Sequence, residues 1–349
     1  MATYTEENRH LTLLELNGRT DNDSLSKISA NRPYTIPDYP RPEIHATRLS
    51  HSTDLPGLKG IKSDGGFRDP KNSGRVWFSL TVTPEDLRDA ETRTMKRVRP
   101  GGIEEEAGGE VEEEEAGGEV EEEEAGGEVE EEEAGGEGQV EPGLLTKFAS
   151  SPAFISSSRY GSYRLTFDLK DVLDRYKEQF CAGRAPVMRV WKTVLHKQEV
   201  MYVVLVHSPS DKRFSRHPLL VEQENSICAF RAEPEPHFLW RPQAMSNTHR
   251  FKLVQDDLLR ASEVPKEFYV WDHVTLALVM DGPSQKDQVL RFPDNDLRQS
   301  LRFCEKGYPP VRPEIEFQSY DEANEEVQEL WPGSGALKEF NKSPLHINN

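Results

Sequence analysis

The segment HSTDLPGLKGIKSDGGFRDPKNSGRVWFSL, residues 51–80, combines a histidine, two hydroxyls, a helix-length stretch, paired glycines and an aromatic strand. We expect Ser52 or Thr53 to cap a short helix, because a side-chain oxygen satisfies the free N–H groups at a helix start. Gly65 and Gly66 then break that helix, since glycine adopts backbone conformations that other residues avoid. The segment therefore predicts a short helix, a glycine turn and a strand in succession.

The strand RVWFSL completes the segment. Side chains alternate between the faces of a strand, so Trp77 and Phe78 are predicted on opposite faces, with Phe67 anchoring the preceding loop. A histidine at a strand end, a helix, a glycine turn and an aromatic strand together form a wall able to hold a flat ring and a sugar hydroxyl. We interpret the segment as part of a nucleotide pocket.

The charge of the chain is concentrated in one stretch. The formal net charge of the 349 residues is -19, but 19 of the 62 acids are glutamates between Glu104 and Glu137, a stretch without Lys or Arg. Removing them leaves 43 acids against 43 Lys and Arg. This neutral remainder argues against bulk electrostatic capture of nucleic acid or of an anionic membrane.

The same stretch is a nine-residue Glu/Ala/Gly repeat, which we expect to be a disordered insertion because it has little apolar area to bury. It is interpreted as a length-variable surface expansion or, alternatively, as an acidic interaction tail. The three cysteines, Cys181, Cys228 and Cys304, are odd in number and widely spaced, which favours a reduced chain. With no apolar run near the ~20 residues of a membrane helix and no signal pattern, we expect a cytoplasmic protein, with nuclear access left open.

The remaining patterns indicate an α+β domain on a mixed or antiparallel sheet with flanking helices. Helix starts are predicted at TPEDL (83–87) and near Asp168, and buried strands at 199–207, 226–230 and 268–280. We divide the chain into a polar N-terminal segment (1–40), a body in two parts (41–100 and 143–312), the repeat insertion between them (101–142), and a C-terminal helix with its tail (313–349).

Three separated motifs resemble the poly(ADP-ribose) polymerase class of ADP-ribosyltransferases. That class shows His-Gly-Thr/Ser, an Ile-containing helix, Gly-Phe and a Gly-Ile-Tyr-Phe-Ala strand, which is similar to residues 51–80 here. Its Ser-x-x-Tyr step is similar to SSRY (157–160), and its Glu-Tyr-Ile-Val-Tyr-Asp strand to EFYVWD (267–272). The segments HSTDLPGLKGI, SRYGSYRL and YVWDHVTLAL also resemble the Gig-two family of fish proteins induced by grass carp reovirus.

The resemblance implies a split sheet of the polymerase catalytic domain and NAD as the substrate, without a metal. His51 would bond an adenosine-ribose hydroxyl, and the Ser52 backbone and Ser157 would hold the nicotinamide carboxamide. Tyr160 and Trp77 would lie on the two sides of the nicotinamide ring.

For the catalytic carboxylate the resemblance implies Glu267, with Glu199 as the alternative. It would stabilise the oxocarbenium-like transition state as the glycosidic bond breaks, and a protein or RNA acceptor would then attack.

Two functions follow as expectations. The first is a mono-ADP-ribosyltransferase, induced by virus or interferon and antiviral, as the family resemblance implies. The second is an inactive module that binds NAD, ADP-ribose, a protein or RNA. Trp77 in place of the class tyrosine and Ser52 in place of its glycine favour the second, whereas His51 and Glu267 favour the first.

Other chemistries lack a pattern in the sequence. Cys228, His237 and His249 do not have the paired spacing of a zinc site, so no metal is assigned. No Walker loop, GxSxG elbow or GxGxxG follows a strand. Kinase-like, hydrolase and dinucleotide-fold interpretations are therefore unsupported.

Overall fold

The computed structural model describes residues 5–7, 9–11, 43–69, 73–90, 93, 157–196, 199–223, 226–242, 273–280, 288–307 and 312–340. The repeat insertion 101–142 and Glu267 lie outside the described residues.

The described strands are, in chain order, β1 (Thr5–Glu7), β2 (Ile44–Ala46), β3 (Arg48–Thr53), β4 (Gly66–Phe67), β5 (Arg75–Thr81), β6 (Ser157–Ser158), β7 (Tyr163–Asp168), β8 (Val187–His196), β9 (Glu199–His207), β10 (Cys228–Arg231), β11 (His237–Trp240), β12 (His273–Val279), β13 (Leu290–Arg291), β14 (Leu301–Phe303), β15 (Glu305–Lys306) and β16 (Lys338–Glu339). The described helices are α1 (Leu55–Asp64), α2 (Pro84–Ala90), α3 (Leu169–Phe180), α4 (Asp294–Ser300) and α5 (Tyr320–Leu330).

A nine-stranded mixed sheet organises the fold, in the order β1-β8-β9-β12-β5-β3-β7-β14-β16. Its pairs are antiparallel except β9 with β12 and β14 with β16, which are parallel. Smaller sheets join β10-β11-β2, β13-β4 and β15-β6. The predicted α+β class with a mixed sheet and flanking helices is confirmed.

The centre of the large sheet is buried on both faces. On β9, Tyr202, Val204 and Val206 enter the main core, whereas Val203 and Leu205 enter a second apolar cluster. Helix α3 is tied to the main-core face, because the Tyr176 hydroxyl donates to the carbonyl oxygens of Val206 and Val279 at 3.3 and 2.6 Å. A strand covered on both faces has a nearly continuous apolar sequence, as β9 does.

Several local predictions are confirmed. Helix α3 begins directly after Asp168, and the Thr83 hydroxyl accepts from the Asp86 N–H at 3.1 Å at the start of α2. Strand β9 has the predicted bounds. Strand β12 falls within the predicted 268–280, of which 268–272 lie outside the described residues.

The cap of α1 differs from the prediction. Asp54 is the N-cap, and its Oδ1 accepts from the Gly57 N–H at 3.0 Å. Ser52 and Thr53 are not available for capping because both still belong to β3, where they pair with β7. At the other end Gly65, with φ +67°, ends the helix as predicted.

The terminal segments also take part in the sheet. In the N-terminal segment, β1 pairs with β8, and Leu11 is buried. In the C-terminal segment the predicted helix is α5, and β16 beyond it pairs with β14. Both ends of the large sheet are thus formed by segments that the sequence patterns left outside the body.

Candidate functional site

The large sheet opens between β3 and β5. These strands pair only from Arg48–Thr81 to Ser50–Ser79, although β3 stays paired with β7 as far as Thr53. Strand β5 likewise stays paired with β12 down to Arg75. Strands β3 and β5 therefore separate beyond Ser50 and Ser79, whereas β3 remains paired with β7 and β5 with β12.

His51 lies at this opening. Its Nδ1 is 2.7 Å from the carbonyl oxygen of Trp77, and its ring contacts Phe67 and Phe78 edge-on or tilted, with centroids 5.1 and 5.7 Å away. A side-chain hydrogen bond therefore replaces the backbone ladder where the strands separate.

The contacts of His51 fix its chemical form. Burial lowers the pKa of the imidazole, an effect that the hydrogen bond to Trp77 partly opposes, so the ring is neutral at pH 7. A carbonyl oxygen only accepts, so Nδ1 carries the proton and Nε2 keeps a lone pair. Within the described part of the chain, Nε2 has no hydrogen-bond partner. The ring at the opening therefore keeps one neutral acceptor atom without a partner among the described residues.

Trp77 meets His51 through its backbone only. Its indole packs with the second apolar cluster, whereas Phe78, beside His51, belongs to the main core. The indole stacks on Trp191, with centroids 5.8 Å apart and an interplanar angle of 25°. The predicted alternation of Trp77 and Phe78 is confirmed, and it directs the Trp77 ring to the face opposite His51.

A buried arginine links Ser52 to Ser157. The Arg164 side chain, in a residue only 4% exposed, donates from Nε to Ser52 Oγ and from Nη2 to the Ser157 carbonyl, both at 3.0 Å. Its guanidinium also lies over the Phe340 ring, 4.2 Å from the centroid. Two predicted site residues that are distant in sequence are thus brought together.

Tyr160 lies next to this cluster with its ring accessible. The residue is 38% exposed, and its N–H donates to Ser158 Oγ at 3.1 Å. The following Gly161 has φ +134°, and a Cβ there would fall 2.3 Å from the Thr53 carbonyl oxygen. Because only glycine permits this approach, the segment holding Tyr160 is fixed against the end of β3.

The two candidate carboxylates differ in placement. Glu267 lies outside the described residues. Glu199 begins β9. Ala277 of β12 pairs with Trp77 on one side and with Leu205 of β9 on the other, so Leu205 marks the position of the opening along β9. The six residues from Leu205 back to Glu199 span about 20 Å along a strand, so the structure does not bring the Glu199 backbone to the opening.

Sequence reasoning missed Arg164 and Phe340. Arg164 stands in the apolar alternation of β7, between Tyr163 and Leu165, and an arginine inside such a pattern was the available signal. Phe340 follows β16, and nothing in its neighbourhood pointed to the site.

Two negative findings apply to the described residues. They contain no group of three His, Cys, Asp or Glu side chains arranged to hold a metal ion. No described helix is long and apolar enough to cross a membrane. The three cysteines are buried and form no disulfide with one another.

Comparison with known proteins gives no significant match to a protein-family model, a curated protein or a solved structure.

Proposed function

We propose that this chain binds NAD at the opening between β3 and β5 and transfers single ADP-ribose units to a protein or RNA acceptor. The observation that carries the proposal is the state of His51, a neutral imidazole whose Nδ1 is held by Trp77 and whose Nε2 has no hydrogen-bond partner among the described residues. A ribose hydroxyl is the complementary donor. The motif resemblance to the polymerase class assigns the same role to this histidine.

The Ser52–Ser157 cluster supports a nicotinamide position beside His51. Arg164 holds the Ser157 carbonyl and the Ser52 hydroxyl in place, which leaves the Ser52 backbone and the Ser157 hydroxyl as the groups assigned to the carboxamide. The exposed Tyr160 ring is the stacking surface in this proposal.

In the proposed reaction the bond between the ribose anomeric carbon and the nicotinamide nitrogen breaks, and its electron pair leaves with nicotinamide. Glu267 stabilises the positive charge that develops on the ribose. A nucleophile of the acceptor then bonds to the anomeric carbon and loses its proton. An antiviral, virus- or interferon-induced setting belongs to the proposal through the Gig-two resemblance.

A second candidate function, binding of NAD or ADP-ribose without turnover, is favoured by Trp77. Its indole is stacked on Trp191 on the opposite face, so the ring does not form the second side of a nicotinamide site.

Incubation with NAD labelled in its adenylate part distinguishes the two functions. Label transferred to protein or RNA by the wild type but not by Glu267→Gln supports the transferase. NAD binding by both chains without transfer supports the binding module. Absence of binding of both NAD and ADP-ribose by the wild type rejects both.

A further inference from the structure

A second site lies at the far end of β3 from His51. An open cleft of about 440 Å³ is lined by the end of β7, the start of α3, the end of α4 and β16. This volume falls in the roughly 300–1,000 Å³ range of small-molecule sites. The wall is formed mainly by charged side chains, among them Arg48, Arg302, Asp171 and Asp296; we call it the Arg48–Arg302 cavity.

Two of its cations lack a strong acidic partner. Arg302 donates through Nη1 to the carbonyl oxygens of Gln299 and Leu301, at 2.5 and 2.8 Å, and among the described residues it forms no ion pair. Burial and then the charge of Arg48 lower the pKa of Arg302. Arg48 is half exposed and lies 3.6 Å from Asp168, a loose pair. Neighbouring guanidinium groups of this kind favour a bound oxyanion, above all a phosphate.

The opposite part of the wall accepts hydrogen bonds. Asp296 is paired with Arg175 at 2.7 Å, and Asp171 lines the cavity beside it. Thr166 also lines the cavity, but its hydroxyl oxygen is buried beneath the surface. Ionised carboxylates only accept, so this part of the wall suits a ligand that carries hydroxyl donors.

The charges decide between ligand classes. Three arginines face four carboxylates, Asp168, Asp171, Asp296 and Glu339, so the cavity as a whole does not attract a simple polyanion. A ligand with a phosphate at one end and hydroxyls at the other satisfies both parts of the wall. Phe292 and Phe340 add apolar surface for the carbon face of a ring.

We propose that the Arg48–Arg302 cavity binds a sugar phosphate, with the phosphate between Arg48 and Arg302 and the sugar hydroxyls on Asp171. This site is distinct from the opening at His51, although Phe340 lines the cavity and also contacts Arg164 of the Ser52–Ser157 cluster, and the proposal does not depend on NAD binding at His51.

Calorimetric titration of the full chain with ribose 5-phosphate tests the proposal. The wild type binds, and inorganic phosphate and ribose alone each bind at least tenfold more weakly. Arg48→Gln and Asp171→Asn each weaken binding by about 10- to 100-fold, the loss expected for a charge-assisted hydrogen bond. Arg48 is chosen over Arg302 because Arg302 also holds the carbonyls at the end of α4.

Arg88→Gln is the matched control, since Arg88 is two-thirds exposed on α2, and it binds as the wild type does. His51→Asn also keeps ribose 5-phosphate binding. The proposal is overturned by absence of binding at millimolar ligand, by unchanged binding in both cavity variants, by equally tight binding of phosphate alone, or by loss of binding in His51→Asn.

Discussion

The imidazole Nδ1 of His51 lies 2.7 Å from the carbonyl oxygen of Trp77, at the point where β3 and β5 separate. This contact joins the two strands after their backbone ladder has ended. It also orients the ring, so that Nε2 rather than Nδ1 is available to a ligand.

Gly161 is predicted to tolerate substitution poorly. Gly161→Ala places a Cβ 2.3 Å from the Thr53 carbonyl oxygen at a φ of +134°, whereas Gly183→Ala, at φ +76°, meets no atom within 4 Å. We expect Gly183→Ala to cost about 1 kcal/mol of unfolding free energy, and Gly161→Ala more than about 2 kcal/mol. Urea denaturation of both variants measures the difference, and equal losses would contradict the close approach.

Arg164→Met tests the link between Ser52 and Ser157. The change removes two charge-assisted hydrogen bonds from a buried site, so we expect unfolding free energy to fall by roughly 2–3 kcal/mol. The control Arg88→Met removes a largely exposed arginine that lies 3.9 Å from the exposed Glu85 and should stay within about 0.5 kcal/mol of the wild type. Similar losses in the two variants would show that Arg164 does not hold the cluster.

His10 predicts a loss of stability in acid. Burial lowers its pKa from 6.5 to about 4, with Nε2 bonded to the Val203 carbonyl. Between those values the unfolded chain binds a proton that the folded chain does not, so unfolding free energy decreases as pH falls from about 6.5 to 4. The full effect is on the order of 3 kcal/mol.

His10→Gln removes this titration, and urea denaturation between pH 7 and pH 4 should show a shallower dependence on pH than in the wild type. Identical pH profiles would contradict the assignment. His51, whose pKa burial also lowers, adds a contribution of the same sign in both chains.

Local patterns were sufficient for the elements around the site. The glycine turn after α1, the alternation of Trp77 and Phe78 and the strand-to-helix change at Asp168 depend on neighbours in sequence, and each was predictable. Strand β11 was not, because its four residues lie in a proline-rich stretch that reads as a connection. Strands β1 and β16 are shorter still, with three and two residues, and are set by pairing with distant partners.

The opening itself was not predictable from the sequence. It arises because the pairing between β3 and β5 ends early, whereas β3 stays paired with β7 and β5 stays paired with β12. The opening therefore depends on four segments that are distant in sequence. The bridging role of Arg164 likewise depends on Ser52, Ser157 and Phe340 meeting in space. Residue types identified candidates, whereas strand order determined which of them meet.

NAD binding to His51→Asn, measured by calorimetry beside the wild type, tests the central claim most directly. The asparagine amide can still donate to the Trp77 carbonyl but offers no acceptor at the position of Nε2. We expect the wild type to bind NAD, His51→Asn to lose at least tenfold in affinity with its melting temperature little changed, and the control His217→Ala to bind normally. Wild-type affinity in His51→Asn would contradict the account, because Nε2 would then have no part in the site.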